Sequence, residues 1–189
     1  MIGGKLLKIG KSKLLDMLRL SGEVIVVLEN KETGKKRTYK TRNIVTNAGD
    51  TWYAQEICGE AQSWDPAGLR LGTNAGSASA PTKTDVKMQT TTGSTPIGGT
   101  GDKAVDGGYP KTNDDDTDNP GGGVDIVTWR FSYGTGDANQ NNIATIDMPD
   151  TFTDGSIAQS LAIANFAAKF NKTSSDTLKV FVNHEMLGV

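Results

Sequence analysis

Apolar and polar residues alternate with a period of two along much of this chain, the pattern of half-buried strands. The strongest example is VDIVTWRFSY, where Val127, Trp129, Phe131 and Tyr133 share a face. DTLKVFVNHEML repeats the pattern, with Leu178, Val180, Val182 and Met186 on one side and Lys179, Asn183 and Glu185 on the other. EVIVVLEN is apolar without alternation over Val24–Leu28, as a strand covered on both faces would be. Beyond KETG, KKRTYKTRNIVT sets Arg37, Tyr39 and Thr41 against Lys36, Thr38 and Lys40, and predicts an exposed partner strand. Leu69–Gly72 and NIATIDM read as shorter strands. IAQSLAIANFAAKF has the alanine content of a helix, but Ala162, Ala164, Phe166, Ala168 and Phe170 alternate, which favours a strand over 161–170.

Two short helices are expected. Ser12 caps one over Lys13–Leu20, with Leu14, Leu15 and Leu18 on one side, and Ser21-Gly22 stops it. NAGDTWYAQEIC is the other, with Asn47 as cap, Asp50 three residues on, and Trp52, Tyr53 and Ile57 as its apolar side. Residues 73–123 have little periodicity and read as a long Gly/Asp-rich loop. Such a loop is functional or disordered, and contacts with neighbours or with its own domain would order it. The sum is a mainly-β protein: an antiparallel, jelly-roll-like β-sandwich over 23–189, preceded by a basic arm over 1–22. Its expected core holds Val127, Trp129, Phe131, Val180 and Val182, with Val24–Leu28 in a central strand.

Charge adds an asymmetry. Residues 1–42 hold eleven Lys or Arg against four Asp or Glu, and the remainder holds nine against eighteen. An arm that docks on an acidic surface, such as a neighbouring copy, fits this, and so does a solvated Lys-rich segment. Nucleic acid fits poorly, because Lys outnumbers Arg and no aromatics interleave with the charges. No apolar run approaches a membrane span of roughly 18 residues, and the first twenty residues lack the apolar stretch of a signal peptide. One cysteine, Cys58, excludes an intrachain disulfide and a thiolate cluster.

Candidate chemistry is sparse. The single histidine, His184, falls on the apolar face of the last strand and reads as a packed or interface residue, since nothing nominates a nucleophile beside it. Cys58, ending the second helix, reads as a small buried hydrophobe. Asp114, Asp116, Asp118 and Asp125 match four positions of a calcium loop, but Asn119 stands where glycine is needed and Pro120 follows, so only a looser oxygen-ligand Ca²⁺ site is left. Many acids are present and nothing selects a glycosidase pair. Trp52, Trp64 and Trp129 are too dispersed for a sugar-stacking strip. No cofactor and no catalytic residue is expected.

Three blocks carry a resemblance. RNIVTNAGDTWYAQEICG resembles the NLVTNAG…A segment of many small tailed-phage structural proteins. LRLGTNAGSASAPTKTD resembles the ALGTGT…AP…TD segment that follows it there, and ANFAAKFNKTSSDTLKVFVNHE resembles their closing strand pair. The chain departs from that pattern in its basic front and its long Gly/Asp loop. The resemblance implies a virion structural protein without an active site, either a capsid decoration (cement) protein or a tail, collar or fibre-attachment component. Decoration fits better a single small domain with an arm and without coiled-coil heptads. The implied partners are other copies, as a trimer or dimer, and the major capsid protein or other virion neighbours. The contact residues expected are Lys5, Leu6, Leu7, Lys8, Leu14, Leu18 and Arg19 in the arm, and Pro81 in the small-residue stretch after the Leu69–Gly72 strand.

Overall fold

The computed structural model describes residues 18–76, 78–88 and 93–188. Expectations placed on Lys5, Leu6, Leu7, Lys8 and Leu14 lie outside the described residues. The strands are β1 (Leu18–Asn30), β2 (Lys36–Val45), β3 (Leu69–Thr73), β4 (Thr95–Pro96), β5 (Asp102–Lys103), β6 (Ile126–Tyr133), β7 (Ile143–Pro149), β8 (Ser160–Phe170) and β9 (Asp176–Gly188). Among the described residues one helix is longer than a single turn, α1 (Asn47–Cys58), and it links β2 to β3. The fold is mainly β, as the alternation predicts.

All strands join one antiparallel sheet, ordered β4-β3-β7-β8-β2-β1-β9-β6, with β5 also paired to β3. The two faces of the expected sandwich are therefore halves of one curled sheet. Its ends are brought together by residues 102–111. Asp102 and Lys103 pair with β3, and further on Asp106 N–H donates to the Arg130 carbonyl at 2.9 Å. Lys111 and Thr128 exchange backbone hydrogen bonds of 3.0 and 2.8 Å. The Tyr133 hydroxyl of β6 lies 3.3 Å from the Gly101 carbonyl and 3.5 Å from that of Leu69. Curling lets one core collect Val24, Val26 and Leu28, Trp129 and Phe131, Ile146 and Met148, Val180 and Val182. The expected core residues are inside it, apart from Val127, which is partly buried against it.

β1 is buried on both faces. Ile25 and Val27 form a second apolar cluster with Phe181 on the outer side of the sheet. The 112–123 loop roofs that side. A Cβ added to Gly121 would sit 3.0 Å from Ile25 Cδ1 and 2.7 Å from Asn183 Nδ2, so the backbone lies flat on the sheet there. Buried Asn119 donates to Asp114 at 2.8 Å and exchanges amide bonds of 3.2 and 2.9 Å with Asn183. Asp118 is paired with Lys36 at 2.7 Å and Lys179 at 2.9 Å, and Asp116 with Arg130 at 3.0 Å. Internal packing thus orders this loop.

Two expectations at the front are corrected. Leu18–Leu20 are not helical; they open β1 and pair with Gly188–Met186 of the same chain. Ser21-Gly22 does not stop a helix either. Gly22 stands in register between Asn43 and His184, and a Cβ there would meet Asn43 Oδ1 at 1.7 Å. Tertiary pairing overrides local leucine spacing here. The boundary placed at residue 22 falls inside a strand, and the backbones of Leu18 and Arg19 are paired within the chain.

α1 is capped by Thr46, one residue before the expected Asn47; its hydroxyl accepts from Gly49 N–H at 3.0 Å and donates to the Ser160 carbonyl. Trp52 and Tyr53 are buried, whereas Ile57 is 65% exposed. Cys58 is exposed, not buried. The first turns rest on β8, where a Cβ on Gly49 would meet the Leu161 carbonyl at 2.2 Å, and the last turn projects.

The roof supplies a test. Asn119→Ala leaves Asp114 and Asn183 short of buried partners, which costs about 1–3 kcal/mol. A urea melt is expected to show that loss, and an Asp-specific protease is expected to cut 112–123 in the folded variant while sparing the wild type. A variant as stable and as resistant as wild type contradicts the roof.

Candidate functional site

His184 sits at the crossing of four elements. It is wholly buried on β9. Tyr53 of α1 places its hydroxyl 2.6 Å from His184 Nδ1, and the Asn43 side chain of β2 lies 2.6 Å from Nε2. Trp129 of β6 donates its indole N–H to the Tyr53 oxygen at 3.0 Å. An indole only donates, so the Tyr53 hydroxyl accepts from Trp129 and donates onward to Nδ1. Nε2 then carries the imidazole proton and needs an acceptor. The amide oxygen of Asn43 supplies it when Oδ1, not Nδ2, faces the ring. The opposite orientation leaves Oδ1 buried without a partner and the Tyr53 proton unused. The result is a hydrogen-bonded chain from Trp129 through Tyr53 and His184 to Asn43, in which both ring nitrogens are used.

Burial alone drives the His184 imidazole down to about 3, and burial raises the Tyr53 hydroxyl. A base that takes up no second proton at neutral pH, uses both ring nitrogens and exposes no surface acts here as a packing group. The tryptophans expected to be dispersed meet here in part: Trp52 and Trp129 lie 5.8 Å apart between ring centroids, both inside the core.

The acidic run resolves into separate ion pairs. Asp114 is buried; desolvation raises it, but hydrogen bonds from Asn119, Lys111 and Tyr109 outweigh this and hold it below the usual carboxylate range. Lys36 and then Lys179 hold Asp118 down in the same way. Asp116 faces Arg130, and Asp125 is exposed beyond the loop. Three of the four candidate Ca²⁺ ligands thus already answer cations of this chain, and among the described residues no cluster of three or more metal-ligating side chains forms.

A second polar site is legible only in three dimensions. Arg70 of β3 is buried and holds Asp102 at 2.8 Å, Asp154 and the Phe152 carbonyl. Opposite it on β7, wholly buried Asp147 accepts from the Ser160 hydroxyl and from Met88 N–H at 2.9 Å. Desolvation pushes its carboxyl up to about 7 against those bonds and the nearby Arg70 charge. Neither residue belonged to a motif, because each is separated from its partners by long stretches of chain.

Pro81 lies in the segment that follows β3. That segment covers the chain's own sheet: Asn165 of β8 donates to the Ser79 carbonyl, and Lys169 to the Gly76 carbonyl and to that of Ala75 at 3.1 Å. A groove of about 520 Å³ remains between segment and sheet, lined by Arg42, Ile44, Ala80, Pro81, Phe166 and Ala167 among others.

Comparison with known proteins returns no match: no family model fits the chain, and no curated protein or solved structure is significantly similar to it.

The two buried groups pull stability in opposite directions with pH. His184 titrates near 3 when folded and from 6.5 when unfolded, so the unfolded chain binds the extra proton and stability falls as pH drops through that window. Asp147 titrates near 7 folded and from 3.8 unfolded, so the native state holds the extra proton and stability falls as pH rises through it. Between pH 6.5 and roughly 4.5 the two slopes oppose each other. Asp147→Asn removes one and is expected to unmask a decline of up to about 1.4 kcal/mol per pH unit as pH falls. Urea midpoints across that window read it directly, and a flat profile in the variant refutes a buried neutral His184.

Proposed function

We propose that this chain is a non-enzymatic structural component of a tailed-phage virion, a decoration protein that binds the assembled shell and bridges neighbouring capsid subunits. The observation that carries the reading is spatial. The third of the blocks that resemble phage structural proteins lies far along the chain from the first two and meets both in the fold. Asn43 of the first pairs with Ala164, where the third begins. The second block's Ser79 carbonyl is held by the third block's Asn165, and Asn43 and Tyr53 of the first close on His184 of the third. Blocks of low complexity that assemble into one unit behave as parts of one design, and this raises the weight of their order along the chain. His184, Asp114, Asp116 and Asp118 are engaged within the fold, which suits a protein whose product is contact area.

Such a protein acts by mass action. A ligand that binds only the intact shell adds RT ln(1 + [L]/Kd) per site, about 2.7 kcal/mol at one hundred times Kd. The test compares particles with and without this protein. Particles lacking it are expected to release DNA at lower temperature and lower ionic strength, and adding the purified chain back is expected to restore them. Particles that withstand both unchanged yet fail to attach to cells assign the protein to the tail, collar or fibre-attachment machinery instead.

A further inference from the structure

We propose that copies of this chain associate head to tail, the acidic, isoleucine-tipped end of α1 on one copy seating in the groove beside Arg42 on the next. The groove side is built from small and apolar side chains on the outer face of β2 and β8, with Ala78, Ala80 and Pro81 as the facing wall. Arg42 stands exposed at its rim, and among the described residues its guanidinium has no ion-pair or hydrogen-bond partner. Glu23 faces it in register from β1, but the lysine two residues before it, Lys40, shares that carboxylate at 3.8 Å. Lys169 adds a second cation to the lining. The groove is thus an apolar slot with a positive rim.

The matching surface is the projecting end of α1. Ile57 is 65% exposed there, one of three large apolar side chains left exposed among the described residues, with Val86 and Val124. Glu56, Glu60 and Asp65 surround it in sequence, and no Lys or Arg occurs between Asn43 and Leu69. The last turn of α1 carries no basic residue, so the partial negative charge of a helix C-terminus adds to these carboxylates. An apolar tip on a stretch of net negative charge complements an apolar slot with a positive rim in sign. Knob and groove are different patches of the same molecule, so the contact is heterologous and propagates into a closed ring or a filament. The inference stands on these two surfaces alone and does not depend on the virion reading.

Sedimentation of the isolated chain over a range of concentrations tests it. Wild type is expected to associate, and less so at high salt, because exposed charges are screened over about 8 Å at physiological ionic strength. Arg42→Glu and Ile57→Asp are surface changes expected to keep wild-type melting temperatures. Ile57→Asp is expected to weaken association by about tenfold to a hundredfold, the worth of one buried apolar side chain, and Arg42→Glu is expected to weaken it through like-charge repulsion and to remove its salt dependence. Mixed together, they are expected to form a one-to-one dimer, since the first retains an intact knob and the second an intact groove. Alkylation of Cys58, beside Ile57, is expected to slow in that mixture and not in either variant alone. A monomeric wild type, a variant that associates as wild type does, or a mixture that stays monomeric each overturns the proposal.

Discussion

A strand that is apolar on both faces cannot stand at a surface, and β1 imposes that constraint on everything around it. Val24, Val26 and Leu28 need a cover on one side, and Ile25 and Val27 on the other. Each buried aliphatic side chain is worth about 1.5–3 kcal/mol relative to exposure, so leaving either side open would consume much of a domain's net stability. The inner side is covered by curling the sheet until β6 and β3 are linked through residues 102–111. Among the described residues the outer side has no second sheet to cover it. The Gly/Asp loop fills that place, and its composition follows from the task. Glycine at 121 lets backbone lie against Ile25, and the carboxylates of Asp116 and Asp118 meet the cations that β2, β6 and β9 present outward.

Most of the polar side chains buried by this arrangement are joined in sets. The Trp129–Tyr53–His184–Asn43 chain joins α1, β2, β6 and β9 inside the core, where an unpaired polar atom would cost 1–3 kcal/mol or about that. A hydrogen-bonded chain of this kind favours one docking angle of α1 over its alternatives, because any slip breaks several bonds together. Arg70 does the same for the opposite half of the sheet, tying β3 to β5 through Asp102 and to the β7–β8 connection through Asp154 and Phe152. Both sets use groups that elsewhere serve catalysis, and here their distances and burial assign them to positioning the fold.

Most of the sheet was legible in the sequence, because a period of two survives wherever one face is buried. The parity of Trp129, Phe131, Val180 and Val182 is enough to orient β6 and β9 and to place His184 inward. The strand over 161–170 was readable from the same alternation despite its alanines. The misreadings have local causes. Leucines at 14, 15 and 18 have helical spacing, but β9 offers Leu18–Leu20 a partner strand that no local pattern reveals. Thr46 and Asn47 are both capping residue types, and Thr46 prevails because its hydroxyl also reaches the Ser160 carbonyl. Ile57 and Cys58 were placed inside because α1 was treated as amphipathic throughout, whereas only its first turns touch β8. The acidic run matched ligand spacing because spacing was all that could be seen. Lys36 and Lys179 lie 82 and 61 residues away from Asp118, beyond any window of local reading.

The same long-range pairing changes the meaning of the charge asymmetry. Along the chain, the basic first forty-two residues invite a picture of one positive surface facing one negative surface. In the fold, Lys36 is neutralised by Asp118 and Lys40 is drawn toward Glu23, so much of the positive face of β2 is answered within the same molecule. Exposed pairs of this kind contribute at most about 1 kcal/mol each, and their larger effect is to cancel long-range attraction. Among the described residues Arg37 and Arg42 of β2 form no ion pair, and of the two Arg42 stands beside the apolar groove. Association through such a site draws its strength from the apolar area removed from water and its selectivity from a single well-placed charge, which is how a small domain of nearly balanced charge can recognise a partner without adhering to every acidic surface it meets.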